Sequence, residues 1–96
     1  MARRVSWTEE GWSDLEQIAA YIAQDSRFYA AAFVRSLRTA ARSLDGNSER
    51  GRIVPELQDA SIRELIVGNY RLIYRVTAET VFILAVLHGS RLLRMR

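Results

Sequence analysis

The chain has 96 residues, room for one hydrophobic core, so a single domain spanning 1–96 is expected. A hydrophobic fraction of 49% with 26% charged residues excludes a disordered or collagen-like chain. Cysteine and lysine are absent, one histidine is present and all 14 basic residues are arginine, which excludes disulfides, thiolate catalysis, a P-loop lysine and a Schiff base, so neither a metal nor another cofactor is expected.

The first ten residues mix arginine and glutamate with few apolar positions, so they read as neither a signal peptide nor a membrane span, and a cytoplasmic protein is expected. Val5-Ser6-Trp7 reads as a short first strand. Ser6 with Glu9 matches a capping box, which places a helix start near Thr8. Trp12, Leu15, Ile18, Ala19 and Ile22 recur at helical spacing, with Glu9, Glu10, Asp14 and Glu16 among them. Asp25-Ser26 supplies the next cap, and Phe33, Leu37, Ala40 and Leu44 define a second helix. Arg35, Arg38 and Arg42 follow the same spacing on its neighbouring face. The two-residue connection makes the helices an antiparallel hairpin with an acidic and a basic member. The bland reading of the arginine row is pairing with the acidic helix or exposure to water; the functional one is contact with nucleic acid.

Asp45 to Arg52 is dense in turn formers and charge, and Pro55 closes it, so an exposed loop is expected. Ile62–Val67 and Tyr70–Val76 are strands joined by a Gly68-Asn69 hairpin turn. In the second of these, Tyr70, Leu72, Tyr74 and Val76 share one face, while Arg71, Ile73 and Arg75 share an arginine-rich one. Thr80–Leu87 is apolar without alternation, as expected of a strand covered on both faces. The tail after His88 adds Arg91, Arg94 and Arg96. These elements compose an α+β domain in β-α-α-β-β-β order, a helical hairpin packed on a twisted antiparallel sheet. The expected core is Leu15, Ile18, Ile22, Phe33, Leu37, Leu44, Leu65, Leu72, Tyr74, Ile83 and Leu84.

Arginine is permanently cationic and planar, and suits bidentate binding of carboxylate or phosphate, so an acidic protein or a nucleic acid is favoured over a neutral metabolite. Four stretches carry a more specific signal: Trp7-Thr8-Glu9-Glu10; Gly51-Arg52-Ile53-Val54-Pro55-Glu56; Ile62-Arg63-Glu64-Leu65 with Tyr70 to Val76; and Val86-Leu87-His88-Gly89-Ser90-Arg91. In this order they resemble the ParE/RelE toxin superfamily of bacterial type II toxin–antitoxin systems, whose members serve functions such as plasmid stabilisation.

The resemblance implies a toxin neutralised by a cognate ParD/RelB-like antitoxin, whose acidic C-terminal segment lays a helix on the hairpin and an extended piece along the sheet. It also implies a choice of target. RelE-like members cut mRNA on the ribosome; ParE-like members inhibit DNA gyrase and lack the nuclease residues. RNA cleavage needs a base, an acid and cations around the phosphorane. The lysines of RelE-like sites are absent here and no tyrosine follows Tyr74. Gyrase inhibition by binding is therefore the first reading, without catalytic residues. A ribosome-dependent endoribonuclease using His88, Arg63, Arg75 and Arg91 is the second. A non-toxic binding module is the third. Arg52, Arg63, Arg71, Arg75, Arg91, Phe28 and Tyr29 are the expected contacts to antitoxin or target.

Each of these residues also has a purely structural reading. His88 could end a buried strand and bond a loop carbonyl. Arg71 and Arg75 could lie on a solvated sheet face opposite Glu64 or Glu79. Phe28 and Tyr29 could simply cap the hairpin. Pro55 could rigidify an exposed crossing beside a solvated Arg52.

Overall fold

A computed structural model describes residues 2–93. Strand β1 (Arg4–Trp7) leads into helix α1 (Glu9–Ala23) and helix α2 (Arg27–Arg42), followed by a single 3-10 turn at Ser43–Asp45. Strands β2 (Arg52–Ile53), β3 (Ile62–Val67), β4 (Tyr70–Val76) and β5 (Thr80–His88) complete the chain. They form one five-stranded sheet in the order β1-β5-β4-β3-β2. The β-α-α-β-β-β succession is present, with β2 as an added edge strand in the stretch expected to be only loop. Its two residues pair with Arg63 and Glu64, and Pro55, which has no N–H to donate, stands just beyond it.

The sheet is mixed. β2 to β5 are antiparallel as expected, whereas β1 runs parallel to β5 from Arg4 opposite Thr80 to Trp7 opposite Ile83. A parallel neighbour needs a crossover, and the helical hairpin is the first part of the long one that joins β1 to the meander. The first helix starts where expected, but its cap is Thr8. Ser6 lies inside β1, while Thr8 Oγ1 accepts the Gly11 N–H at 3.0 Å and donates to the Ile83 carbonyl at 2.7 Å. One hydroxyl thereby caps the helix and ties it to β5. Gly11 allows the close approach, since a Cβ there would lie 2.5 Å from the Ile83 oxygen. Ser26 caps α2 as anticipated, accepting from Tyr29 N at 3.1 Å. Gly68, at φ +60°, opens the two-residue β3–β4 turn, a backbone that glycine adopts without cost to a side chain.

Apolar residues collect on both faces of the sheet. Between sheet and helices lie Leu15, Phe33, Leu37, Leu44, Leu72, Tyr74 and Ile83, with Ile18, Ile22 and Leu65 packed at their margin. On the opposite face Val54, Ile62 and Ile73 form a second cluster, joined by Leu57, Leu84, Leu87 and Leu93. Leu84 thus belongs to this second cluster, as strand alternation from Ile83 requires. A bulge lets both faces fill: Ile73 pairs with Ala85 and Tyr74 with Ile83, so Leu84 is the extra residue on β5. The face expected to be arginine-rich is therefore roofed by the chain from Val54 to Leu57 and by the tail at Leu93. Of the tail arginines, Arg94 and Arg96 lie outside the described residues.

Candidate functional site

Arg71 organises the roofed face. Its side chain lies almost wholly inside the protein, where Nε donates to Glu64 Oε1 at 2.6 Å and both terminal nitrogens reach the Glu56 carboxylate at 2.8 Å. Nη1 also donates to the Arg91 carbonyl at 2.8 Å. The second oxygen of the buried Glu64 carboxylate takes Arg52. Burial alone would penalise these charges; here each is matched by charge-assisted hydrogen bonds in fixed geometry. The guanidinium beside Glu56 and the Leu93 N–H hold that carboxyl down to about 2. Arg71 is raised in turn, chiefly by Glu56. The arginine expected to meet a partner is thus occupied within the fold, where it joins β4, β3, the loop before β3 and the tail.

The other expected contact residues fall into three groups. Arg63 is also turned inward, donating to the carbonyls of Gly51 at 2.9 Å, Glu49 at 3.2 Å and Ala60 at 3.2 Å. It shapes the 49–51 loop, whose tight fit shows at Gly51: its N–H donates to Tyr74 Oη at 2.9 Å and leaves no room for a Cβ. Arg52, Arg75 and Arg91 keep part or all of the side chain in solvent. Phe28 and Tyr29 are 72% and 66% exposed at the start of α2 and meet edge to face at 5.4 Å. Exposed aromatic pairs of this kind supply area and rigidity to protein interfaces.

A groove of about 1190 Å³ runs between α1, the second half of β5 and the tail, lined by Asp14, Tyr21, Tyr70, His88, Ser90 and Arg91 among others. β1 covers β5 only as far as Ile83, so the strand edge beyond it faces this groove. Asp14 occupies that edge, its Oδ2 accepting the Val86 N–H at 3.0 Å. Burial raises its pKa, partly opposed by that N–H. His88 ends β5 in the open, with Nδ1 2.8 Å from Ser90 Oγ and its ring edge-on to Tyr70 at 5.6 Å. Neither the groove nor the Asp14 contact was visible in the sequence.

The four residues of the nuclease reading do not converge. His88 lies opposite Tyr70 and Arg75 opposite Phe82, so five residues of β4, about 17 Å, separate them along the ladder. Arg63 pairs with Tyr74 and Arg75 with Ile62, which puts these neighbours on opposite faces of the sheet. Arg91 alone accompanies His88, through an N–H donated to the His88 carbonyl at 2.9 Å. An imidazole with one arginine stands at one end of the sheet, and the remaining arginines stand at the other. Among the described residues, no group of three metal-ligating side chains exists, and no helix is long and apolar enough to cross a membrane.

Residues 5–93 match the family model for the ParE toxin of the type II toxin–antitoxin system parDE. The chain belongs to this ParE toxin family. A curated relative, Toxin RelE2 of Caulobacter vibrioides, is 39% identical over 90 residues, covering 93% of this chain and 98% of the relative. Among solved structures, the chromosomal ParDE toxin–antitoxin system of P. aeruginosa superposes with a TM-score of 0.74 at 19% identity, covering 91% of this chain and 96% of that one. The toxin–antitoxin complex RelBE2 of Mycobacterium tuberculosis gives 0.61 at 25% identity, covering 92% and 99%. The ParE/RelE superfamily resemblance is therefore correct, and the hairpin on a mixed sheet is the fold of these toxins.

Proposed function

We propose that this ParE-family chain is a cytoplasmic toxin that arrests its target by binding, with DNA gyrase as the target and a cognate antitoxin as the neutralising partner. The observation that carries the reading is the separation of His88 from Arg63 and Arg75. General acid–base cleavage of RNA requires these groups within hydrogen-bond reach of one phosphate, and the sheet holds them at opposite ends. The cations that a nuclease would aim at the substrate serve other ends here: Arg71 and Arg63 bind carboxylates and carbonyls of the fold.

The antitoxin's acidic tail is matched to what remains exposed. The groove between α1 and β5 has room for an extended segment beside the end of β5, beyond the Val86 N–H that Asp14 takes. Arg91 stands on its wall, and Arg52 and Arg75 lie on the sheet's roofed side. Phe28 and Tyr29 give a helix of the partner an aromatic anchor. A ribosome-dependent endoribonuclease is the second reading, favoured by the meeting of His88, Ser90 and Arg91 on one groove wall.

Induced expression without antitoxin, followed by plasmid supercoiling, DNA-damage response and mRNA cleavage in parallel, tests the proposal. Growth arrest with lost supercoiling and intact mRNA is expected. Discrete mRNA cuts with normal supercoiling would replace it with the nuclease reading, and healthy growth would favour a non-toxic binding module.

A further inference from the structure

We infer that Asp14 gates the groove beside β5: the antitoxin's extended segment seats itself on this strand by taking the Val86 N–H from the Asp14 carboxylate. The inference rests on the groove being the seat of that segment, as proposed above, and carries the segment one rung further along the strand. Its ground is the way the chain itself uses the strand edge. The last rung between β1 and β5 is the Thr8 N–H donated to the Ile83 carbonyl at 3.0 Å, after which β1 gives way to α1. Further along β5 the Val86 N–H is held by Asp14 Oδ2 at 3.0 Å.

Strand alternation defines what is left open. Val86 stands opposite Leu72 and His88 opposite Tyr70. The bond to Asp14 shows that the backbone groups of Val86 point away from β4, so those of His88 do the same. The Gly89 N–H donated to the Asn69 carbonyl at 2.7 Å, on the alternate rung, agrees with this. The His88 carbonyl accepts the Arg91 N–H at 2.9 Å. The edge is thus closed at one end by Asp14 and at the other by the tail. Among the described residues, the Val86 carbonyl and the His88 N–H between them have no partner.

A segment continuing the lane of β1 runs about 4.8 Å from β5, and a carboxylate oxygen 3.0 Å from the Val86 nitrogen stands inside that lane. The segment therefore stops at His88 unless Asp14 moves. Asp14 is half-buried on the groove wall and makes no ion pair among the described residues. Its release costs one hydrogen bond and returns the carboxylate to water. In the free chain the same carboxylate blunts an edge that would otherwise template unwanted strands. The occupant has matching chemistry: apolar side chains of the segment reach the exposed Tyr21 and Leu92 on the groove walls, and an acidic one reaches Arg91.

Asp14→Ala tests the gate through a thermodynamic cycle. The variant forfeits the bond in the free chain but not in the complex, where the wild type has already given it up, so the loss of stability reappears as a gain in affinity. Free Asp14→Ala is expected to unfold at lower denaturant and yet to bind the purified cognate antitoxin about tenfold more tightly by calorimetry. Asp14→Asn, which keeps an acceptor without the charge, should fall between in both respects, and it decides the test if the alanine variant does not fold. Amide exchange read by NMR locates the segment. The His88 N–H should become protected when antitoxin binds the wild type. The Val86 N–H, exchanging in free Asp14→Ala, should be protected in that variant's complex. Affinity that is unchanged or weakened in Asp14→Ala, or in Asp14→Asn should alanine not fold, overturns the gate, as does a Val86 N–H left exchanging in the complex. A His88 N–H that bound antitoxin leaves unprotected overturns the seating of the segment in this groove, and the gate with it.

Discussion

Arg71 and Glu56 meet fork to fork, each terminal nitrogen of the guanidinium 2.8 Å from a carboxylate oxygen, and the same carboxylate accepts the Leu93 N–H at 2.8 Å. One ion pair thereby fastens both the loop before β3 and the tail to the sheet. Removing Arg71 leaves Glu64 buried with only Arg52 as a partner. Arg71→Ala is expected to destabilise the fold by about 3–5 kcal/mol, read as a lowered denaturant midpoint. Arg71→Lys should rescue little, because an ammonium cannot satisfy two carboxylates and a carbonyl in that planar geometry.

The same pair sets an acid limit. The Glu56 carboxyl is depressed from 4.5 to about 2 in the folded chain, so its stabilising contribution is complete above the unfolded value and is lost as pH falls through that window. Thermal stability should decline between about pH 4.5 and pH 2. Glu56→Gln should be less stable at neutral pH and show a shallower decline over the same range. An unchanged slope would mean that other carboxylates govern acid unfolding.

Close packing of α1 on β5 depends on an absent side chain. A methyl group at Gly11 would lie 2.5 Å from the Ile83 carbonyl oxygen, which backbone cannot accommodate without shifting. Gly11→Ala is expected to cost about 1–3 kcal/mol despite the higher helix propensity of alanine. Equilibrium unfolding would report it, and a stabilised variant would show that the helix moves freely.

Partner binding should follow the arginines left in solvent. The double replacement of Arg75 and Arg91 with alanine is expected to weaken antitoxin affinity by about 2–5 kcal/mol if both are desolvated in the complex, without the loss of stability that follows from Arg71→Ala. Titration calorimetry of the two proteins measures the first and denaturation the second. Unaltered affinity would place the interface elsewhere.

His88→Gln keeps a hydrogen-bonding side chain while removing the one imidazole. Toxicity on induced expression is expected to persist for a chain that acts by binding. Abolished arrest, with the variant folded and soluble, would assign the imidazole a chemical role.

The regular elements were largely legible because their signals are local. Apolar spacing gave both helices, Ser26 and Gly68 marked a cap and a turn, and alternation gave β3 and β4. The parallel seating of β1 was not legible, since it depends on where the completed crossover returns the chain. The capping-box pattern put the cap at Ser6, two residues early, because nothing local shows that Thr8 docks on Ile83 and takes that role. At the site, alternation put Arg71 on the right face and named Glu64 among its partners. It could not show that residues 54–57 and the tail fold over that face, because Glu56 is 15 residues away from Arg71 in sequence. Asp14 read as one more acid on an acidic helix, with nothing local to say that it caps a strand edge.

The central claim is action by stoichiometric binding, and supercoiling of relaxed plasmid by purified gyrase tests it most directly. Inhibition that titrates with the molar ratio of toxin to gyrase, is relieved by antitoxin and survives His88→Gln is the expected result. Full gyrase activity at excess toxin, with the same preparation cutting mRNA on ribosomes, would contradict it.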